Sequence, residues 1–151
     1  MIEFSRKREG DTMADTLSKE IRSKCMSRVH STNTKIEVMV RKYLFSKGFR
    51  YRINDRRYVG HPDIVLPKYK TIVFIHGCFW HKHNCSHFSW PTTNVEYWHT
   101  KIMNNVNRDE KSQEKLKLDG WNVIVVWECQ LTKDLFKETM ENIISSITKN
   151  K

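Results

Sequence analysis

The chain has little of what would break it into loops or place it in a membrane. Only five glycines and three prolines occur among 151 residues, which argues against a low-complexity or disordered chain. No apolar run approaches the roughly 20 residues of a membrane-spanning helix, and the N-terminus has no apolar signal-peptide core. We therefore predict a cytoplasmic protein that does not contact a membrane.

Cysteine is also scarce, with four residues in the whole chain. In a reducing compartment, four cysteines favour metal ligation or burial over disulfide bonds. The length is sufficient for one domain with a proper hydrophobic core. We expect a flexible polar tail at 1–17 and a single domain at 18–151.

Acidic residues are outnumbered, with 17 Asp and Glu against 27 Lys and Arg and a formal net charge of +10. Such an excess favours a polyanionic partner, because each phosphate that is neutralised releases counterions. The alternative is a basic surface with no binding role. Charge alone does not distinguish DNA from RNA, or a binding protein from an enzyme.

Hydrophobic periodicity predicts an α/β protein. Two short strands in tandem suggest an antiparallel hairpin, and a strand that follows a long helix should lie parallel to one of them. The fold class predicted is therefore a three-layer sandwich around a mixed sheet. The predicted elements are a helix at 34–47, strands at 49–54, 63–66 and 71–76, a helix at 95–119, a strand at 121–127 and a helix at 132–148.

Thr34 and Glu37 have the spacing of a helix-capping box. In that motif the threonine caps the first turn, and Glu37 would reach back to the Thr34 amide. Capping alone accounts for Glu37, so any catalytic role for this residue must be weighed against it.

A zinc-type motif, Cys78-x4-His83-x-Cys85, follows the strand at 71–76. Cys129 ends a strand that could neighbour it, which would complete a tetrahedral site of three cysteines and one histidine. The alternative is that Cys78 and Cys129 are buried thiols at strand ends. His81 and His87 are competing ligands, and Cys25 would remain free.

Asp63 and His76 are predicted to lie at one sheet edge, since Asp63 opens one strand of the hairpin and His76 closes the other. Phosphodiester cleavage needs a metal to stabilise charge and a group with a pKa near 7 to move protons. A strand-initial carboxylate suits Mg²⁺, while His76 and His81 suit the second task. The alternative for Asp63 is a turn or cap residue after Pro62.

Several of these segments resemble one family of bacterial nucleases. They are Gly60-His61-Pro62-Asp63, the run Phe74-Ile75-His76-Gly77-Cys78-Phe79-Trp80-His81 and Trp127-Glu128-Cys129. Together they resemble the very-short-patch repair (Vsr) endonucleases, which nick DNA at T:G mismatches. The resemblance covers about residues 17–147, and the His-Gly-Cys-Phe-Trp-His segment is its most specific part. It implies a restriction-endonuclease-like (PD-(D/E)xK-type) fold with a structural zinc.

The resemblance also implies roles for individual residues. Asp63 would bind Mg²⁺ with help from the backbone carbonyl of Ile75, His81 would activate the attacking water, and His76 would assist at the scissile phosphate. Glu37 would lie in the same centre. The chain departs from the family pattern at Ile75, where threonine is usual, so a carbonyl ligand is retained and a hydroxyl is lost. The implied Zn²⁺ ligands are Cys78, His83, Cys85 and Cys129.

Aromatic residues beside the metal motif predict how DNA is held. Phe79 and Trp80 follow a glycine turn among polar ligands, where two large rings are hard to bury, and aromatic rings can wedge between weakly stacked bases. By resemblance, Phe79, Trp80 and Trp98 enter from the major groove, and Met26 from the minor-groove side. The alternative for Trp98 is ordinary core. Asn105 and Arg108 match further positions that could contact bases or phosphates.

The predicted function is Mg²⁺-dependent nicking of duplex DNA at T:G mismatches that arise from 5-methylcytosine deamination. One alternative is a related restriction or homing-type endonuclease with another target. A second is a zinc-stabilised DNA-binding module without catalysis. The expected protein is a monomer whose partner is mismatched double-stranded DNA, with other mismatch-repair proteins as further candidate partners.

Overall fold

A computed structural model of the chain describes residues 33–150. The predicted tail at 1–17 lies outside the described residues, as do Cys25 and Met26. None of the helices within 33–150 is both long and apolar enough to cross a bilayer. The elements are α1 (Lys35–Ser46), β1 (Arg52–Ile53), β2 (Ile64–Leu66), β3 (Thr71–His76), α2 (Val95–Leu118), β4 (Asn122–Trp127) and α3 (Phe136–Lys149), with 3-10 turns at Pro67–Tyr69 and Glu128–Leu131.

The four strands form one mixed sheet in the order β1-β2-β3-β4. β2 and β3 form the predicted antiparallel hairpin, and β4 pairs parallel to β3 after the crossover through α2. Six residue pairs join β3 to β4, from Thr71 with Asn122 to His76 with Trp127. This register makes the two strands end side by side at the same sheet edge.

Helices cover both faces of the sheet, which confirms the predicted α/β layers. One core cluster combines β-strand residues with Val40 and Leu44 of α1 and with Met140 and Ile143 of α3. The other cluster packs Leu116 of α2 against the opposite face. All six residues of β3 are buried, and each large apolar side chain so buried contributes about 1.5–3 kcal/mol. The residues that follow β3 therefore extend from a fully buried strand.

Two predicted element boundaries were wrong. The strand predicted at 49–54 is reduced to Arg52–Ile53, because the Phe49 amide continues the end of α1 by donating to the Leu44 carbonyl. The helix predicted from 132 begins only at Phe136. A 3-10 turn at Glu128–Leu131 intervenes, with the Trp127 amide donating to the Gln130 side chain.

Gly60 brings the loop before β2 into direct contact with α2. Its backbone has φ +80°, and a Cβ added there would lie 2.8 Å from Ser112 Cβ and 3.3 Å from Phe74 Cε1. Gly48 has a similar φ of +90°, yet nothing lies within 4 Å of the corresponding Cβ position. A side chain at either position would strain the backbone, but only a side chain at Gly60 would also overlap with neighbouring atoms.

We expect Gly60→Ala to lower the free energy of unfolding by about 2–4 kcal/mol, since it adds overlap with α2 to the cost of a positive φ. Gly48→Ala is the matched control and should cost about 1 kcal/mol, from the backbone alone. Urea unfolding of both variants measures the difference. Equal losses would show that the loop moves away from Ser112 without penalty.

Candidate active site and metal centre

Four metal-type ligands meet where β3 and β4 end. Because the register pairs His76 with Trp127, Cys78 and Cys129 each follow the last pair by two positions and emerge together. The ligand atoms of Cys78, His83, Cys85 and Cys129 all lie within 4.8 Å of one another. These are the four residues that the spacing predicted, and neither His81 nor His87 belongs to this group.

The distances in this cluster fit a tetrahedral metal ion. His83 Nδ1 lies 3.4 Å from Cys129 Sγ and 3.7 Å from Cys78 Sγ. An ion bound at about 2.3 Å to sulfur and about 2.0 Å to nitrogen would separate tetrahedral donors by about 3.5 Å. Burial raises the pKa of the Cys78 and Cys129 thiols. A bound cation would stabilise the thiolate forms that burial disfavours.

A second cluster, formed by His76, His81 and Asp109, lies beside the first. The two imidazole rings stack with centroids 3.9 Å apart and planes 3° from parallel. His81 Nδ1 pairs with the Asp109 carboxylate of α2. Burial and the neighbouring His81 lower the pKa of His76 to about 4, so His76 is neutral at physiological pH. The pairing with Asp109 holds the ring of His81 in one orientation and leaves its Nε2 available for chemistry.

Asp109 is a site residue that the sequence reasoning missed. It lies four residues after Asn105, whose side-chain amide donates to the Trp80 carbonyl at 3.1 Å. Both polar residues continue the buried helix face of Trp98 and Ile102, at helical spacing. Two polar residues one turn apart on an otherwise apolar face are the signal that could have found this anchor.

Asp63 lies immediately before β2 and reaches across the hairpin. Its Oδ2 accepts a hydrogen bond of 2.6 Å from the Ile75 amide, which places the carboxylate one residue from His76, as the hairpin predicted. Burial raises the pKa of Asp63 to about 6, and the charge of Glu37 acts in the same direction. The Ile75 amide and Arg41 oppose that shift without cancelling it.

Glu37 is buried, with 4% of its surface exposed. The prediction that its side chain caps the Thr34 amide was wrong: the carboxylate accepts from the Asn33 amide at 2.9 Å and from Arg41 at 2.8 Å. Asn33 has φ +55°, and this turn presents its amide to the helix start in place of that of Thr34. Glu37 therefore helps to cap α1 and also lies close enough to Asp63 to raise its pKa.

Phe79, Trp80 and Trp98 form one aromatic cluster, here called the aromatic platform. Their ring centroids lie 5.3 to 5.9 Å apart. Trp98 is 8% exposed and supports the platform from α2, while Phe79 and Trp80 remain partly exposed. Arg108, beyond the platform on α2, has a side chain that is 63% exposed.

Trp127 joins the two clusters, which the sequence reasoning did not anticipate. Its ring stacks on His83 with centroids 4.2 Å apart, and it meets His76 edge-on at 5.3 Å. The Trp127 ring therefore contacts both the cysteine cluster, through His83, and the stacked histidines, through His76. Trp127 had been interpreted only as a strand end and as part of the family resemblance.

Comparison with known proteins identifies the family. Residues 14–87 match the model of the DNA mismatch endonuclease Vsr family. The chain is 50% identical over 136 residues to the type II nicking enzyme V.NmeAIP of Neisseria meningitidis serogroup A, covering 89% of this chain and 97% of that protein.

Two further relatives are also similar to the chain over most of their length. The DNA mismatch endonuclease Vsr of Escherichia coli is 38% identical over 138 residues, 87% of this chain and 88% of that protein. The type II nicking enzyme V.XorIIP of Xanthomonas oryzae pv. oryzae is 42% identical over 120 residues, 80% of this chain and 88% of that protein. The chain therefore belongs to the Vsr family of DNA mismatch endonucleases.

Proposed function

We propose that this endonuclease nicks duplex DNA at T:G mismatches, which arise by deamination of 5-methylcytosine, in a Mg²⁺-dependent hydrolysis. One observation carries the proposal: Asp63, the His76–His81 stack and the aromatic platform meet at one sheet edge. Relatives named as a mismatch endonuclease and as nicking enzymes support it. The domain at 18–151 would carry the activity, with 1–17 as a tail.

Asp63 and the backbone carbonyl of Ile75 would hold Mg²⁺, with Glu37 in the same centre. The donor set fits a hard cation, since its ligands are oxygen atoms. Burial, and to a lesser extent the charge of Glu37, raises the pKa of Asp63, and a bound cation would offset both effects. When bound, the ion supplies positive charge to the phosphate oxygens as charge accumulates on them. Ile75 contributes only backbone atoms, so the side chain at this position would not change the donor set.

His81 would take the proton from the attacking water at Nε2, because its Nδ1 is already paired with Asp109. The water oxygen forms the new bond to phosphorus, the bond to the leaving sugar oxygen breaks, and that oxygen takes a proton from solvent water to become a hydroxyl. His76 would assist at the scissile phosphate as a hydrogen-bond donor, since burial keeps it neutral. Asp109 would stabilise the imidazolium that forms on His81.

A structural Zn²⁺ would be bound by Cys78, His83, Cys85 and Cys129. These ligands enclose Phe79, Trp80 and His81 in the loop between Cys78 and His83. A closed tetrahedral site would fix that loop and take no part in the chemistry.

The aromatic platform would enter the duplex from the major groove and separate bases at the mismatch, where stacking is already weak. Met26, outside the described residues, would enter from the minor-groove side. Asn105 and Arg108 would contact DNA along α2, although Asn105 also anchors the Trp80 carbonyl.

We expect Asp63→Asn to abolish nicking while stabilising the protein in Mg²⁺-free buffer. The folded pKa of about 6 lies above the ordinary value of 3.8. Ionised Asp63 therefore costs stability above pH 6, and that cost disappears as pH falls from about 6 to below 4. The variant should gain about 1–3 kcal/mol at pH 8 and about half as much at pH 5, measured by urea unfolding.

Asp55→Asn is the matched control. Hydrogen bonds from Arg57 lower the pKa of Asp55 to about 2, so removing its charge should not stabilise the protein at pH 8, and nicking should be retained. Residual nicking by Asp63→Asn would show that Asp63 is not the metal ligand. A loss of stability at pH 8 would show that its charge is structural.

Comparison of T:G duplexes with matched C:G duplexes tests the target. We expect nicking of the T:G substrate and at least about 100-fold slower cutting of the matched one, since prying apart a well-stacked pair costs a few kcal/mol more. Equal rates would contradict the repair assignment and favour a restriction-type nuclease. A panel of T:G duplexes with varied flanking bases would then define the recognised sequence.

Metal analysis of natively purified protein should find about one zinc per chain, as a four-ligand structural site binds a single ion. Cys129→Ser should lose zinc and unfold at lower urea concentration, because three ligands leave the site open. Cys25→Ser is the matched control and should keep the bound zinc and the stability to urea. A zinc content near zero in the unmodified protein would refute the structural site.

A further inference from the structure

We propose that an open groove along α2 binds the phosphate backbone of the DNA arm that extends beyond the active site, away from the aromatic platform. The groove measures about 710 Å³. Its polar lining comes from Asn104, Asn107, Arg108, Lys111 and Lys115, and we refer to it as the phosphate groove. That its ligand is DNA depends on the function proposed above.

The lining residues form a stripe along one side of a single helix. Asn104, Arg108, Lys111 and Lys115 are separated by four, three and four positions, which places them on one face of α2. The stripe is about 17 Å long at about 1.5 Å per residue. That length would span a few consecutive phosphates of one DNA strand. Amides and cations are the side chains that usually contact DNA phosphates.

The opposite wall of the groove is built by the loop before β2. Val59 lines it and is 44% exposed. The absence of a side chain at Gly60 lets this loop lie directly against Ser112, which is 4% exposed and donates its hydroxyl to the Arg108 carbonyl at 2.8 Å. Close packing of Gly60 against Ser112 therefore sets the distance between the two walls of the groove.

Its positive charge is available to a ligand. Within residues 33–150, no ion pair involves Lys111. Arg108 lies 3.7 Å from Asp109 with most of its side chain exposed. Lys115 pairs with Asp119 at 2.9 Å, but both side chains are about half exposed, and such a pair contributes little and can exchange for a phosphate.

Two connections place this groove next to the active site. Its loop wall ends three residues before Asp63, since Gly60 is followed by His61 and Pro62. On the helix wall, Arg108 directly precedes Asp109, the partner of His81. The platform residue Trp98 lies ten residues before Arg108, about 15 Å along the axis. A strand held at the active site would thus continue into the groove as it leaves the platform.

Lys111→Gln tests the groove, with Lys117→Gln as the matched control. Lys117 is exposed on the same helix but points about 120° away from Lys111 and does not line the groove. Duplex binding is measured by fluorescence anisotropy over a range of salt concentrations, with zinc-loaded full-length protein in Mg²⁺-free buffer. Lys111→Gln should weaken binding about three- to tenfold and lower the slope of log K against log salt by about one. Lys117→Gln should change the affinity and the salt slope by no more than half of the effect of Lys111→Gln.

The same measurement on T:G and matched duplexes separates this inference from the proposed function. A phosphate contact carries no sequence information, so Lys111→Gln should weaken both duplexes equally. If the unmodified protein did not prefer T:G duplexes, but Lys111→Gln still weakened DNA binding, only the repair assignment would be refuted. If the two lysine variants weakened DNA binding equally, the proposed phosphate groove would be refuted. If Lys111→Gln had no effect on DNA binding at any salt concentration, the groove would also be refuted, and an acidic protein partner would be indicated instead.

Neutral methylphosphonate linkages locate the contact. Placed in the arm beyond the cut, away from the mismatch, they should weaken binding of the unmodified protein and have little further effect on Lys111→Gln. Placed in the opposite arm, they should weaken both proteins equally. If Lys111→Gln instead removed the effect of linkages in the opposite arm, the groove would bind that arm and the assigned direction of the DNA would be wrong. Under saturating DNA the nicking rate should be unchanged, while KM rises; a fall in kcat alone would contradict a binding role.

Discussion

The parallel pairing of β3 with β4 is the constraint on which the functional edge depends. Its six pairs are consecutive and end at His76 and Trp127, so the residues that follow both strands emerge at one point. A slip of one residue would turn every side chain of the slipped strand to the other face. It would also offset Cys78 from Cys129 by about 3.3 Å, more than a tetrahedral metal site tolerates. Burial of the whole of β3 on both faces makes such a slip costly.

Burial at this edge disfavours the charged forms of several ionisable groups. It raises the pKa of Asp63 and of two cysteine thiols and lowers that of His76. In the proposed function, metal ions bound at these groups would favour the carboxylate and thiolate forms, so metal binding would also stabilise the fold. The deep apolar core on both faces of the sheet offsets this local cost. In the proposed function, the ionised carboxylate of Asp63 would bind Mg²⁺ at the expense of folding stability.

Much of this arrangement was predictable from sequence. Hydrophobic periodicity gave the hairpin and the long helix, and ligand spacing gave the four members of the cysteine cluster. What periodicity could not give was contact between distant polar residues. Asp109 was not singled out, and no ring contact was expected of Trp127, because the loop that meets them has no regular pattern. The reach of Glu37 to Asn33 depended on a local backbone turn that capping rules do not specify.

The short span between the aromatic platform and His81 has a consequence for where the strand is cut. Phe79, Trp80 and His81 are consecutive, and neighbouring Cα atoms are about 3.8 Å apart, close to the rise of one nucleotide step in DNA. Anchors from α2 hold both ends of this segment, at the Trp80 carbonyl and at the His81 ring. In the proposed function, the loop therefore acts as a ruler one or two nucleotides long. The distance from the distorted base pair to the broken bond would be set by the polypeptide itself and would not vary with the DNA sequence.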